Sequence, residues 1–163
     1  MEPSTLRRRT PAAIQLKRIL VPVDFSGPSQ QALHCARRLA QFFGGEITLL
    51  HVVQKTPVAP FPEAPPYLDY VEEDFEEAEK NLHALAAAEE AAASIKIPTV
   101  VRTGLPAHEI VEAAREFDSD LIVIATHGYT GWKHFCIGST AERVVRAAPC
   151  PVFVVREKEH DFI

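Results

Sequence analysis

Leu121-Ile122-Val123-Ile124-Ala125 runs straight into Thr126-His127-Gly128, and nine residues then separate Gly128 from Gly138-Ser139-Thr140. The first five are apolar without a break, the composition of a strand buried on both faces. Ser139-Thr140-Ala141-Glu142 opens an apolar helix and reads as a capping box, with Ser139 at the N-cap and Glu142 three residues on. A buried strand, a glycine-bounded loop and a helix start are the parts of a phosphate cradle. Unpaired N–H groups and the positive end of a helix dipole aim at one spot. Glycine at 128 and 138 lets the backbone approach an anion that a Cβ would hold off. The hydroxyls of Ser139 and Thr140 add donors, so phosphate oxygens can be held without a lysine. Asp24, far away in sequence, ends an apolar run and precedes a helix start. A carboxylate there is favoured by the nearby helix N-terminus.

Other reactive side chains form no recognisable centre. His127, His134 and Cys136 share the loop, but their spacing matches no zinc pattern, and a phosphate-side or partly packed histidine is the better reading. His51 reads as structural, and Gly131 as a loop-turning residue. Phosphoryl transfer needs a base, a metal ligand and charge stabilisation. The chain has no G-x-x-x-x-G-K-[S/T] loop, no G-x-G-x-x-G, no H-E-x-x-H, no evident Ser–His–Asp set and no base beyond Asp24. Binding without fast turnover is the economical reading, so the protein is not expected to be an enzyme.

These residues need a frame. Strand 1 is predicted over 18–24. Ser26-Gly27-Pro28 starts helix 1, with Ser26 as cap and proline in the first turn, and Gly44-Gly45 ends it. Strand 2 covers 46–53. Five prolines in 54–66 exclude helix and sheet interior and mark an extended connector. Helix 2 covers 67–93, where Val71, Phe75, Ala78, Leu82 and Leu85 make one apolar stripe and an acidic run makes the solvated face. Strand 3 is placed at 95–101 with Pro98 inside it, so it belongs at a sheet edge. Helix 3 (106–117), strand 4 (120–126), helix 4 (140–147) and strand 5 (151–156) complete an α/β alternation, which predicts an open, mainly parallel sheet with helices on both faces.

Gly128 and Gly138-Ser139 match the second and third parts of G-x2-G-x9-G-[S/T], the nucleotide motif of the universal stress protein family, which this chain resembles. The first glycine of that motif falls on Ala125. If that glycine supplies φ > 0 or phosphate room, alanine weakens binding; if it ends a strand with ordinary dihedrals, binding survives, and the strand pattern favours the latter. Arg18-Ile19-Leu20-Val21-Pro22-Val23-Asp24-Phe25-Ser26, Gly104-Leu105-Pro106-Ala107-His108-Glu109-Ile110, Ala141-Glu142-Arg143-Val144-Val145 and Pro149-Cys150-Pro151-Val152-Phe153-Val154-Val155 look like further family blocks, in order. The resemblance, to the UspA-like, ATP-binding subgroup, implies an adenine nucleotide alpha hydrolase-like fold with five strands in the order 3-2-1-4-5. It implies a nucleotide site of Pro22, Val23, Asp24, Val52, Ile124, Ala125, Gly128, Gly138, Ser139 and Thr140. On the implied adenosine side, Asp24 would accept from a ribose hydroxyl, the backbone near Val23 would read the adenine edge and Val52 would touch the ring. The implied ligand is ATP, with Mg²⁺ as an optional companion, acting structurally or as a regulator in stress response. A homodimer through Val152, Phe153, Val154 and Val155 of strand 5 is also implied. The alternatives are a dimeric interaction scaffold without nucleotide and a slow ATP hydrolase.

At 163 residues the chain reads as one domain over 17–157, with a mobile N-terminal tail at 1–16 that carries Arg7-Arg8-Arg9 and a short C-terminal tail at 158–163. A net charge of −5 argues against a nucleic-acid partner. No apolar run reaches membrane-span length and no secretory signal is evident, so neither a membrane partner nor export is expected. Three cysteines without paired spacing fit a reducing cytoplasm.

Overall fold

The computed structural model describes residues 15–54, 67–93, 96–126 and 138–156. Strands and helices alternate as β1 (Arg18–Pro22), α1 (Gly27–Phe43), β2 (Glu46–Val53), α2 (Tyr67–Ala93), β3 (Thr99–Thr103), α3 (Pro106–Glu116), β4 (Leu121–Ala125), α4 (Ser139–Ala147) and β5 (Val152–Val155). The five strands form one sheet in the order β3-β2-β1-β4-β5, and every neighbouring pair is parallel. The expected order is therefore the observed one. Successive strands are joined by helices, which is what a parallel pair requires.

The two faces of the sheet follow from side-chain alternation. Ile19, Val21, Ile47, Leu49, Leu121 and Val123 pack on one side against Ala32, Leu33 and Ala36 of α1 and Leu82 and Ala86 of α2. Leu20, Leu50, Ile122 and Ile124 pack on the other against Ile110, Ala113 and Ala114 of α3 and Ala141 and Val144 of α4. All five residues of β4 are buried, as its unbroken apolar run requires.

Local chemistry sets the element ends. Ser26 caps α1 by accepting from the Ser29 N–H, and a proline occupies the first turn. Gly44 ends α1 in the left-handed region (φ 67°), donating back to the Ala40 carbonyl. On α2, Ala78 and Leu82 are buried and Ala86 joins them, while Leu85 is half-buried. The Val71 side chain and residue 95 lie outside the described residues. Strand 3 needs a correction. It begins at Thr99, with Pro98 immediately before it, because proline has no N–H for the ladder. Its carbonyl still serves, accepting from the Leu49 N–H at 2.9 Å. β3 is an edge strand, as proline's presence suggested.

At the opposite end of the sheet from the strand tips, Asp120 ties β4 to β1. One carboxylate oxygen accepts from the backbone N–H of both Lys17 and Arg18 at 2.9 Å, and the other lies 3.6 Å from the Arg18 guanidinium. The Arg18 N–H leads in holding this carboxyl below its ordinary value of 3.8. The folded pKa lies below the unfolded one, so this contribution is complete above about pH 4 and is lost as pH falls through the folded value. We expect melting temperature to drop as pH is lowered beneath about 4, and Asp120→Asn to flatten part of that drop. Superimposable acid profiles for the two proteins would refute the tie.

Candidate functional site

β1 has β2 on one side and β4 on the other, and the chain leaves the carboxyl ends of β1 and β4 in opposite directions. That is the switch point at which open parallel sheets bind ligands. A cavity of about 290 Å³ lies there. Its wall is built from distant stretches. Pro22, Val23 and Asp24 come from the end of β1, Val52 from the end of β2, and Ile124 and Ala125 from the end of β4. Gly138, Ser139 and Thr140 close it from the start of α4. Nine of the ten residues expected at a nucleotide site therefore line one cavity. Gly128 lies outside the described residues, as do His127, His134 and Cys136.

The α4 end is arranged for an anion. In the first turn the N–H groups of Ser139, Thr140 and Ala141 have no intrahelical acceptor, and the helix dipole adds positive potential. Gly138 is the N-cap with φ −59° and ψ 150°, a conformation open to any residue. Its N–H donates to the Thr126 carbonyl at 2.7 Å. The backbone conformation at 138 therefore does not itself require glycine, and the unpaired N–H groups are the three after it. The anticipated capping box does not form. Ser139 lies inside the helix, and no side chain caps it. The Glu142 carboxylate turns instead to Arg146, with contacts of 3.2 and 2.8 Å, because a guanidinium one turn along is a stronger partner than a backbone N–H.

Ala125 is the last residue of β4, in register with Val155. Among the described residues the non-glycine positions with positive φ are Phe25 and Asp118, so Ala125 keeps ordinary strand dihedrals. Ala125 lines the cavity and packs with the α1/α2-side core, with no backbone strain.

At the β1 end, Asp24 carries the one formal charge among the described lining residues. Its Oδ1 accepts from the Ser26 N–H at 3.1 Å and from the Ser26 hydroxyl. The Val23 N–H is committed to the Leu50 carbonyl at 2.8 Å, so the adenine-edge role expected near Val23 does not fall on this N–H. Sequence reasoning missed Pro106 and Ile110 of α3, the Gln54 and Thr126 positions, and Ser29 of α1. The helix starts were legible; what brings them to this rim is the sheet order. His51, read as structural, also lines the cavity, and its Nδ1 lies 2.8 Å from the Val23 carbonyl.

Burial pushes the thiols of Cys35 and Cys150 up, away from thiolate character. Among the described residues, no group of three or more His, Cys, Asp or Glu could hold a metal ion. No described helix is long and apolar enough to cross a membrane.

The sequence profile of the universal stress protein family matches residues 15–156. A universal stress protein of Methanocaldococcus jannaschii is 36% identical over 148 residues, covering 89% of this chain and 85% of that protein. The structure of universal stress protein UspA from Lactobacillus plantarum superposes with a TM-score of 0.78 at 29% identity, covering 88% of this chain and 99% of that one. The structure of a universal stress protein from Archaeoglobus fulgidus in complex with dAMP has a TM-score of 0.61 at 22% identity, a likeness of fold, covering 86% of this chain and 98% of that one. With the sheet order and these matches together, the chain belongs to the universal stress protein family.

Proposed function

We propose that this protein binds an adenine nucleotide, ATP foremost, in the β1/β4 cavity, and that the bound nucleotide is a structural or regulatory ligand in a cytoplasmic stress response. One observation carries the reading. Asp24, from the end of β1, and the N-terminal turn of α4 line a single cavity, which suits a ligand with hydroxyls at one end and phosphates at the other. A relative in fold holds dAMP. Mg²⁺, where present, would travel on the phosphate oxygens, which hold this ion readily with few protein ligands. Among the described lining residues Asp24 carries the one carboxylate, and turnover is expected to stay below about 1 s⁻¹. Mass spectrometry of the purified protein for bound nucleotide, calorimetry with ATP, ADP and AMP, and phosphate release test this together. Micromolar binding, roughly −8 kcal/mol, is expected. No heat and no thermal shift with any of the three would leave the nucleotide-free scaffold as the reading. Sustained phosphate release faster than the stated rate would make it a hydrolase.

A homodimer through β5 is the second element of the reading. β5 has β4 on one side, and Phe153 is 39% exposed. The Pro151 and Val155 carbonyls accept from Ile122 and Thr126 of the β4 side. Alternation then turns the backbone groups of Val152 and Val154 outward, where a second copy's strand can pair with them about a two-fold axis. Val154→Pro removes one outward donor and should give monomer by sedimentation at micromolar concentration. A dimer that survives the change would place the interface elsewhere.

A further inference from the structure

Phe25 has φ 63°, the left-handed region, although it is a bulky aromatic residue flanked by Asp24 and Ser26. Such a conformation is unfavourable and persists only where surrounding contacts over-determine it. The contacts come from the end of β2. The Phe25 ring lies 4.6 Å from the His51 ring, tilted by 33°. His51 Nδ1 is 2.8 Å from the Val23 carbonyl. A carbonyl can only accept, so Nδ1 carries the hydrogen and donates. The Val23 N–H returns a bond to Leu50 at 2.8 Å, so residues 50 and 51 grip Val23 by both backbone groups. On the far side of the turn, the Phe25 carbonyl lies 3.4 Å from Gln30 Nε2. Within it, Asp24 Oδ1 accepts from Ser26 twice. Phe25 packs against the core on the α1/α2 side, while Asp24 lines the cavity. The strained residue is thus anchored in the core while its neighbour lines the cavity.

We propose that His51 and Phe25 form a clip that holds this turn in its strained form, making both positioning residues that set the Asp24 carboxylate for the ligand. The ligand part rests on the nucleotide reading above; the clip itself does not. Without the His51 donor, Phe25 relaxes to negative φ, the Asp24–Ser26 bonds are lost, and Asp24 no longer stands pre-set at the cavity. His51→Phe keeps the ring and drops the donor. His51→Asn restores a donor near the place of Nδ1, since its amide nitrogen occupies the same δ position.

The test has two arms. In ligand-free protein, NMR couplings that report Phe25 φ should show the left-handed value in wild type and His51→Asn, and its loss in His51→Phe. A left-handed Phe25 in His51→Phe overturns the clip, whether or not any nucleotide binds. In ATP titrations, His51→Phe should weaken binding about tenfold, the scale of one lost hydrogen bond, and His51→Asn should recover most of it. In an Asp24→Ala background the same His51→Phe change should cost nothing further, because the two act as one unit. Additive losses overturn the positioning role. Wild type that takes up no ATP overturns the nucleotide reading and the ligand part of this proposal, and the coupling measurement still decides the clip. Should His51→Phe fail to fold, His51→Leu serves: it also drops the donor, and a left-handed Phe25 in it overturns the clip.

Discussion

Gly138→Val should abolish nucleotide binding while leaving the fold intact. The expected loss is a hundredfold or more, at least about 2.7 kcal/mol of binding free energy. The backbone tolerates valine, since φ at this position is −59° and the N–H bond to the Thr126 carbonyl is unaffected. What valine adds is an isopropyl group at the N-cap of α4, the position whose side chain reaches toward the N–H groups of the first turn. An anion held by those donors must come within hydrogen-bond distance, and the branched side chain occupies that approach. The cost to the protein is a poorer N-cap, about 1 kcal/mol. Binding and stability therefore separate. Calorimetry should lose its signal, and chemical denaturation should show a small shift. Wild-type affinity in the valine variant would mean that the phosphates do not lie on α4, and would move the anion site away from this turn. The contrast with Ser139→Ala is informative, because removing one hydroxyl leaves the backbone donors and should weaken binding by roughly tenfold at most.

Ile122→Ala should be the most damaging of the conservative truncations. Ile122 is 0% exposed and stands in β4 with Leu20 of β1 and Val152 of β5 beside it in register. It packs into the layer that also holds Ile110, Ala113 and Val144 of α3 and α4. Three methylene-sized groups vanish from a site walled by strands on both sides, which cannot move inward without breaking the ladder. Transfer and cavity terms together give a loss of about 3–4 kcal/mol. Against a total stability of roughly 5–15 kcal/mol for a domain, that is a large fraction. Urea unfolding should show a lower midpoint with an unchanged slope. A loss under about 1 kcal/mol would mean that the helices close over the gap, contrary to the rigidity expected of this layer.

Much of this architecture is legible in the residues themselves. The unbroken apolar run at 121–125 demanded a strand covered on both faces, and β4 is buried throughout. Ser26, the following proline and Gly44 mark the ends of α1 by local chemistry, and each acts as expected. These features depend on a few neighbouring residues, so short-range rules suffice. The family motif added a sheet order that local patterns do not contain, and the order is the one observed.

Other features were settled by partners distant in sequence. Glu142 has two plausible partners, the N-cap N–H behind it and the Arg146 guanidinium ahead, and only the packed helix shows that it pairs with Arg146. The Val23 N–H could have faced a ligand, but the parallel neighbour β2 presents the Leu50 carbonyl to it. His51 has nothing in its own surroundings that marks it, because its partners, Val23 and Phe25, lie more than twenty residues away. The left-handed Phe25 is equally invisible, since no sequence rule assigns that conformation to an aromatic residue. The sequence by itself determined which segments become strands and helices, where α1 begins and ends, and that β4 lies inside, because these follow from periodicity and short-range bonding. The tertiary structure alone decided which donors and acceptors stay open to a ligand, because each backbone group pairs with whatever group folding brings within about 3 Å of it.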